Sequence, residues 1–197
     1  MFVQVITGET TDPAAVRALG EKWQRELRPG AVGYLGSTIG TAADGTFVAA
    51  IQFTDDVAAK ENSERPEQDA FFKEMSQLFD GQPTFRESND TSLLFDGPSA
   101  KAGFVQVMQS TCTDRAKAEA MESNELLDAL RAARPDLLGG LRLWDGNQSI
   151  EIAYFTSEAD ARAAEKSEAF DAPQQDFSSL YENTTYIDLP NPQIHLA

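Results

Sequence analysis

Cysteine and histidine are almost missing from this 197-residue chain, with one of each, Cys112 and His195. A single thiol excludes an internal disulfide and a cysteine-built zinc site, and a single imidazole excludes a multi-histidine metal centre. Basic charge is also scarce. Sixteen Lys and Arg stand against 32 Asp and Glu, a formal net charge of −16. Such an acid excess repels phosphate backbones and anionic lipid heads, so neither nucleic acid nor a membrane surface is an expected partner. No run of residues approaches the roughly 20 apolar positions of a membrane-spanning helix. The opening Met-Phe-Val-Gln-Val-Ile-Thr-Gly-Glu lacks the basic segment of a secretory leader, which makes a cytoplasmic location the expectation. Also missing are a Gly-rich phosphate loop, a Gly-x-Ser-x-Gly elbow and a His-Glu-x-x-His helix, so no cofactor or metal is expected.

What the chain does contain is itself, twice. Phe2-Val3-Gln4-Val5 returns 102 residues later as Phe104-Val105-Gln106-Val107. On the same diagonal Thr11-Asp12 returns as Thr113-Asp114, and Phe53-Thr54 as Phe155-Thr156. Even the charge divides evenly: residues 1–98 hold 16 acids and 8 bases, and the remainder holds the same. Two related domains of about 100 residues follow, spanning 1–96 and 104–190. A Gly/Pro/Ser-rich link at 97–103 joins them, and an irregular tail covers 191–197.

Each half reads β-α-β-β-α-β. In the first, residues 2–7 alternate as a strand, and Thr11-Asp12-Pro13 starts a helix with an N-cap and a proline at its first position. Val16, Leu19, Trp23 and Leu27 recur at helical spacing up to Arg28-Pro29-Gly30. Residues 31–39 and 46–54 form a hairpin around Asp44-Gly45. A second helix begins at Val57, is interrupted or restarted at Pro66, and continues through Phe71, Phe72 and Met75; Thr84–Phe95 supplies a last strand. The second half repeats the order with a strand at 103–109 and one long helix at 114–132. A hairpin follows at 137–145 and 148–156, then a helix at 157–168, a short helix from Pro173 to Tyr181 and a strand at 183–189. Several strands are apolar on both faces. Helices of the same half can cover one face, and the sister half's sheet is the expected cover for the other. The expected fold is α+β: tandem ferredoxin-like repeats whose two four-stranded sheets close into one intrachain α/β barrel.

That order, twice over, resembles the dimeric α/β-barrel superfamily and, within it, the antibiotic-biosynthesis-monooxygenase-like proteins. The stretch Glu61-Asn62-Ser63-Glu64-Arg65-Pro66-Glu67-Gln68-Asp69-Ala70-Phe71-Phe72 is similar to that group's second-helix segment, where a His-x-x-Ser-Pro-His-like pattern precedes aromatics. Here Asn62 and Glu67 stand in the two histidine places, and Ala164-Glu165-Lys166-Ser167-Glu168 in the second half has lost the proline as well. The resemblance implies a pocket between helices and sheet, and cofactor-free oxygenation as one family activity. It disfavours haem degradation, which uses a histidine of this helix.

Candidate pocket residues are Trp23, Tyr34, Asn62, Arg65 and Phe71 in the first half and Trp144 in the second. Each has a plainer reading. Trp23 in an apolar stripe is also a core residue, and Asn62 and Arg65 at a helix break also serve as caps or partners of nearby acids. Arg142 could hold an anion or pair with an acid, and His195 reads as a solvated tail residue. Two functions remain. One is a cofactor-free monooxygenase acting on a small aromatic or polyketide-like ligand; the other is a non-catalytic small-molecule-binding or structural protein. An open space beside Trp23 that holds Asn62 or Arg65 favours the first, and one filled by side chains the second. The chain is expected as a monomeric pseudo-dimer or a homodimer.

Overall fold

The computed structural model describes residues 1–166 and 178–197, the side chain of Asn124 excepted. The chain divides into two compact units, one of residues 1–91 with 189–197 and the other of residues 92–188.

In the first unit, β1 (Phe2–Thr10), β2 (Tyr34–Thr41), β3 (Thr46–Phe53) and β4 (Phe79–Ser88) form an antiparallel sheet. The order is β2-β3-β1-β4, that of a ferredoxin-like βαββαβ repeat. Helix α1 (Pro13–Glu26) starts where the sequence places it: the Asp12 side chain accepts from Ala15 N at 2.9 Å, and Pro13 fills the first turn. Val16, Leu19, Trp23 and Leu27 are all buried, so the apolar stripe faces the sheet. The second helical segment is split into α2 (Asp56–Ser63) and α3 (Pro66–Ser76). Pro66 is the physical cause. It has no N–H to continue the ladder and holds Arg65 in an extended conformation, with ψ 133°. On the opposite face of the sheet Val3, Val5, Val48 and Ala50 are fully buried, so these strands are apolar on both sides as their sequence implies.

The second unit repeats the plan with β6 (Phe104–Cys112), β7 (Leu137–Asp145), β8 (Gln148–Phe155) and β9 (Tyr181–Pro190) in the order β7-β8-β6-β9. The helix expected at 114–132 is two helices, α4 (Arg115–Met121) and α5 (Asn124–Ala133). Glu122 leaves the helical region, and Ser123 caps a new start by accepting from Leu126 N at 3.2 Å. Helix α6 (Glu158–Ala164) follows β8, with Ser157 as its cap. The helix expected from Pro173 falls outside the described residues as far as residue 177.

Both sheets have five strands where four were expected. The stretch Thr84–Phe95 breaks at Asn89-Asp90, and its remainder, β5 (Thr91–Leu94), extends the second sheet beside β7. The tail expected to be irregular at 191–197 contains β10 (Gln193–Leu196), antiparallel to β2 with His195 opposite Ser37. In each case a four-residue strand covers a sheet edge that would otherwise present unpaired backbone groups. His195 is therefore a half-buried strand residue and not a solvated one. Among the described residues no helix is long and apolar enough to cross a membrane.

Candidate functional site

Between the first sheet and helices α1, α2 and α3 lies a cavity of about 960 Å³. Its floor is the helix-facing row of the sheet, with Gln4 and Ile6 on β1, Tyr34, Ser37 and Ile39 on β2, and Phe53 on β3. A volume of several hundred Å³ with mostly apolar walls and a few placed polar groups is the usual form of a small-molecule site.

Trp23 enters from α1. Its indole Nε1–H donates to Gln68 Oε1 on α3 at 2.7 Å, tying the two helices together, and its ring lies 5.1 Å from that of Tyr34 at 52°. Tyr34 is held in turn. Its ring stands edge-on to Phe53, 6.0 Å away, and its hydroxyl shares a 2.7 Å hydrogen bond with Ser37 Oγ and accepts from Gln24 Nε2 at 3.1 Å. These contacts make one wall a fixed aromatic surface with hydroxyls at its edge.

Asn62 comes from the last turn of α2, immediately before the break at Pro66, and is 8% exposed. Its Oδ1 accepts from Arg65 Nη1 at 2.9 Å. A guanidinium only donates, so the amide oxygen must face Arg65 and the amide nitrogen must face away. Among the described residues no acceptor engages that nitrogen, and Asn62 lines the cavity. The site thus has a nearly buried, unspent N–H donor beside aromatic walls.

Arg65 itself is a brace. The same Nη1 donates to Leu27 O at 3.1 Å, and Nε and Nη2 reach Glu67 Oε1 at 3.0 and 2.8 Å. The Glu67 carboxyl lies below the usual carboxylate range, through its own backbone N–H first and Arg65 second. Gly30 leaves room for this arrangement, since a Cβ there would stand 2.5 Å from Arg65 Nη2.

Of the residues singled out in the sequence, Trp23, Tyr34, Asn62 and Phe71 converge on this cavity. Arg65 stays outside the lining and acts through Asn62. Trp144 lies in the other unit, buried with Cys112, Ala118 and Leu180 and with the Arg115 guanidinium 4.6 Å above its ring. It is not among the described residues that line that unit's cavity. The strand registers explain the difference: Tyr34 pairs with Phe53 at the start of β2, whereas Trp144 pairs with Ser149 at the far end of β7. Ser37, Gln68 and Gln4 were missed. Gln4 had a signal, a glutamine repeated at Gln106 within an otherwise apolar strand. Its amide donates to Glu87, and that of Gln106 to Asp188 at 2.9 Å.

No family model and no curated protein matches the chain by sequence. Solved structures do match. A putative monooxygenase from Lactobacillus acidophilus aligns over 99% of this chain and 96% of its own, with 12% identity and a TM-score of 0.74. One from Fusobacterium nucleatum aligns over 99% and 94%, with 11% identity and a TM-score of 0.75. An anthrone oxidase-like protein aligns over 100% and 93%, with 13% identity and a TM-score of 0.58. The chain has the fold of these proteins along essentially its whole length.

Proposed function

We propose that the first unit is a cofactor-independent oxygenase site for a flat phenol or its keto tautomer. The observation that carries this reading is the open, aromatic-walled cavity into which Asn62 presents an unpaired amide donor. A filled cavity would have favoured the non-catalytic reading. Similar structures described as two putative monooxygenases and an anthrone oxidase-like protein lend support from outside the chain.

The chemistry follows from what the lining holds. Its polar groups beside the aromatic wall are hydroxyls and amides; of its charged groups Lys60 and Asp69 are paired with Glu64 and Lys73, and the Glu87 carboxylate accepts from the Gln4 amide. The substrate therefore brings its own reactivity. Loss of a proton gives an enolate or phenolate, whose negative charge develops on the oxygen bonded by the Asn62 amide. Donors fixed in advance and shielded from water stabilise such charge more than solvent does. The electron-rich ring carbon then reduces dioxygen, forming a C–O bond and a hydroperoxide after uptake of a proton. Removal of the second proton from that carbon breaks the O–O bond and expels water, leaving a carbonyl. The balance is one CH₂ group and one O₂ giving one C=O and one H₂O, with O₂ the only co-reactant. Trp23, Tyr34 and Phe71 clamp the ring and exclude water.

Native mass spectrometry of protein taken directly from cells tests the binding half of this reading. An aromatic adduct lost in Asn62→Leu and Trp23→Ala is the expected result. A flavin or haem mass, or an adduct retained equally by both variants, contradicts it.

A further inference from the structure

The second unit has a cavity of its own, about 670 Å³, between its sheet and helix α5. Pairing registers match its floor to that of the first position by position. Gln4 and Gln106 stand opposite Ile51 and Ala153, which in turn face Ser37 and Gly140. One row along, Ile6, Ala49 and Ile39 correspond to Met108, Glu151 and Arg142, and at the other end Tyr34 and Phe53 correspond to Leu137 and Phe155. All eight members of each set line their cavity. The duplicated site has kept its glutamine and one phenylalanine and changed nearly everything else.

The changes have a direction. The Tyr34 and Ser37 hydroxyls are replaced by Leu137 and Gly140, so the aromatic wall with its polar edge is gone. The roof is Leu126, Leu127 and Leu130 of α5, half-buried, and no described side chain of that helix is fully buried. An apolar helix face that looks onto a cavity and not into packed core gains its burial from whatever fills the cavity. In place of Ile39 and Ala49 the floor carries an ion pair, with Arg142 Nε donating to Glu151 Oε1 at 3.0 Å and Nη1 to Glu122. The Arg142 side chain is only 13% exposed.

We infer that this second cavity is a separate binding site for an unbranched aliphatic molecule with an uncharged hydroxyl-type head, such as a long-chain alcohol. Leucines form most of the apolar wall and suit a flexible saturated chain; Phe155 and Tyr186 also line the cavity, but without counterparts of Trp23 and Tyr34 they do not make the stacked aromatic wall of the first. The head rests on the Arg142–Glu151 floor. The three arginines of the lining already carry carboxylates, Arg142 those of Glu151 and Glu122, Arg162 those of Glu165 and Asp188, and Arg134 that of Asp136, so an anionic head meets acids at each of them, and an ammonium meets the Arg142 guanidinium. A hydroxyl, which both donates and accepts, suits a paired surface of this kind.

The test uses the full chain with ¹³C-labelled leucine methyls and three probes: 1-decanol, decanoate and 2-naphthol. Saturable decanol shifts at Leu126, Leu127 and Leu130, with the Trp23 indole N–H unmoved, are the expected result. Leu130→Trp and Ala153→Leu each fill the space and weaken decanol at least tenfold; thermal melts confirm that they fold, and either one suffices. Decanoate binding as tightly as decanol overturns the uncharged head. Decanol perturbing Trp23 in place of the leucines, 2-naphthol displacing it, or no saturable shift at all overturns the site. Oxygenase activity of the first unit is read separately and does not enter these outcomes.

Discussion

Replacing Arg65 by methionine keeps the aliphatic stem and removes the guanidinium. Two hydrogen bonds are lost to uncharged acceptors, Leu27 O at 3.1 Å and Asn62 Oδ1 at 2.9 Å. Bonds from a charged donor contribute about 1.5–3 kcal/mol each. The pairing with Glu67 adds at most about 1 kcal/mol, because Glu67 is 54% exposed and screened by solvent. Water entering through the cavity can satisfy part of what is freed, so the first unit should lose about 2–4 kcal/mol, toward the lower end. Hydrogen exchange of β1 and β3 amides under EX2 conditions reads this loss for the first unit alone. The functional effect is separable. Without its brace the Asn62 amide rotates, and a phenolic ligand should bind about tenfold more weakly, some 1.4 kcal/mol. Lysine should recover little, since one ammonium cannot span Leu27 O, Asn62 and Glu67 together. Unchanged protection and ligand affinity within twofold of the parent would refute the bracing role.

Three further outcomes are expected. Gly30→Ala places a Cβ 2.5 Å from Arg65 Nη2, so the folded protein should show the ligand defect of R65M without loss of charge. An intact affinity would count against the geometry. Trp23→Ala removes a buried ring and the Gln68 bond and should cost about 3–4 kcal/mol, whereas Trp23→Phe should cost about 1 kcal/mol, measured by the same exchange experiment. His195 titrates below its ordinary value, through burial first and the Arg28 charge second, against an opposing pull from Glu21. Its neutral form is the one that fits the fold. The stability this confers is present above about pH 6.5 and is lost as the pH falls through the lowered folded value. The urea midpoint should therefore fall more steeply from pH 7 to pH 5 in the parent than in His195→Gln; equal slopes would contradict it.

The repeat and its βαββαβ order were legible because strands and helices record their burial in local periodicity, as Phe2-Val3-Gln4-Val5 and its copy do. Asn62 was legible as a candidate because Pro66 announces a helix break. Its orientation was not, since that depends on Arg65 reaching back to Leu27, 38 residues earlier. The part played by β10 was equally hidden: a four-residue strand leaves almost no periodic signal, and its partner β2 lies more than 150 positions away. Trp144 misled because composition shows that both second strands carry an aromatic, while only register shows that the two rings sit at opposite ends. The second cavity's changed floor is likewise a matter of pairing, invisible until Arg142 and Ile39 are seen to occupy one place.

The most direct test is oxygen uptake by the full chain supplied with a tricyclic phenol of the anthrone type, in metal-free buffer. One O₂ should be consumed for each quinone formed, one ¹⁸O from ¹⁸O₂ should appear in the product, and Asn62→Leu should lower the rate at least a hundredfold. A rate equal to that of the unaided reaction, or one unaltered in N62L, would contradict the account.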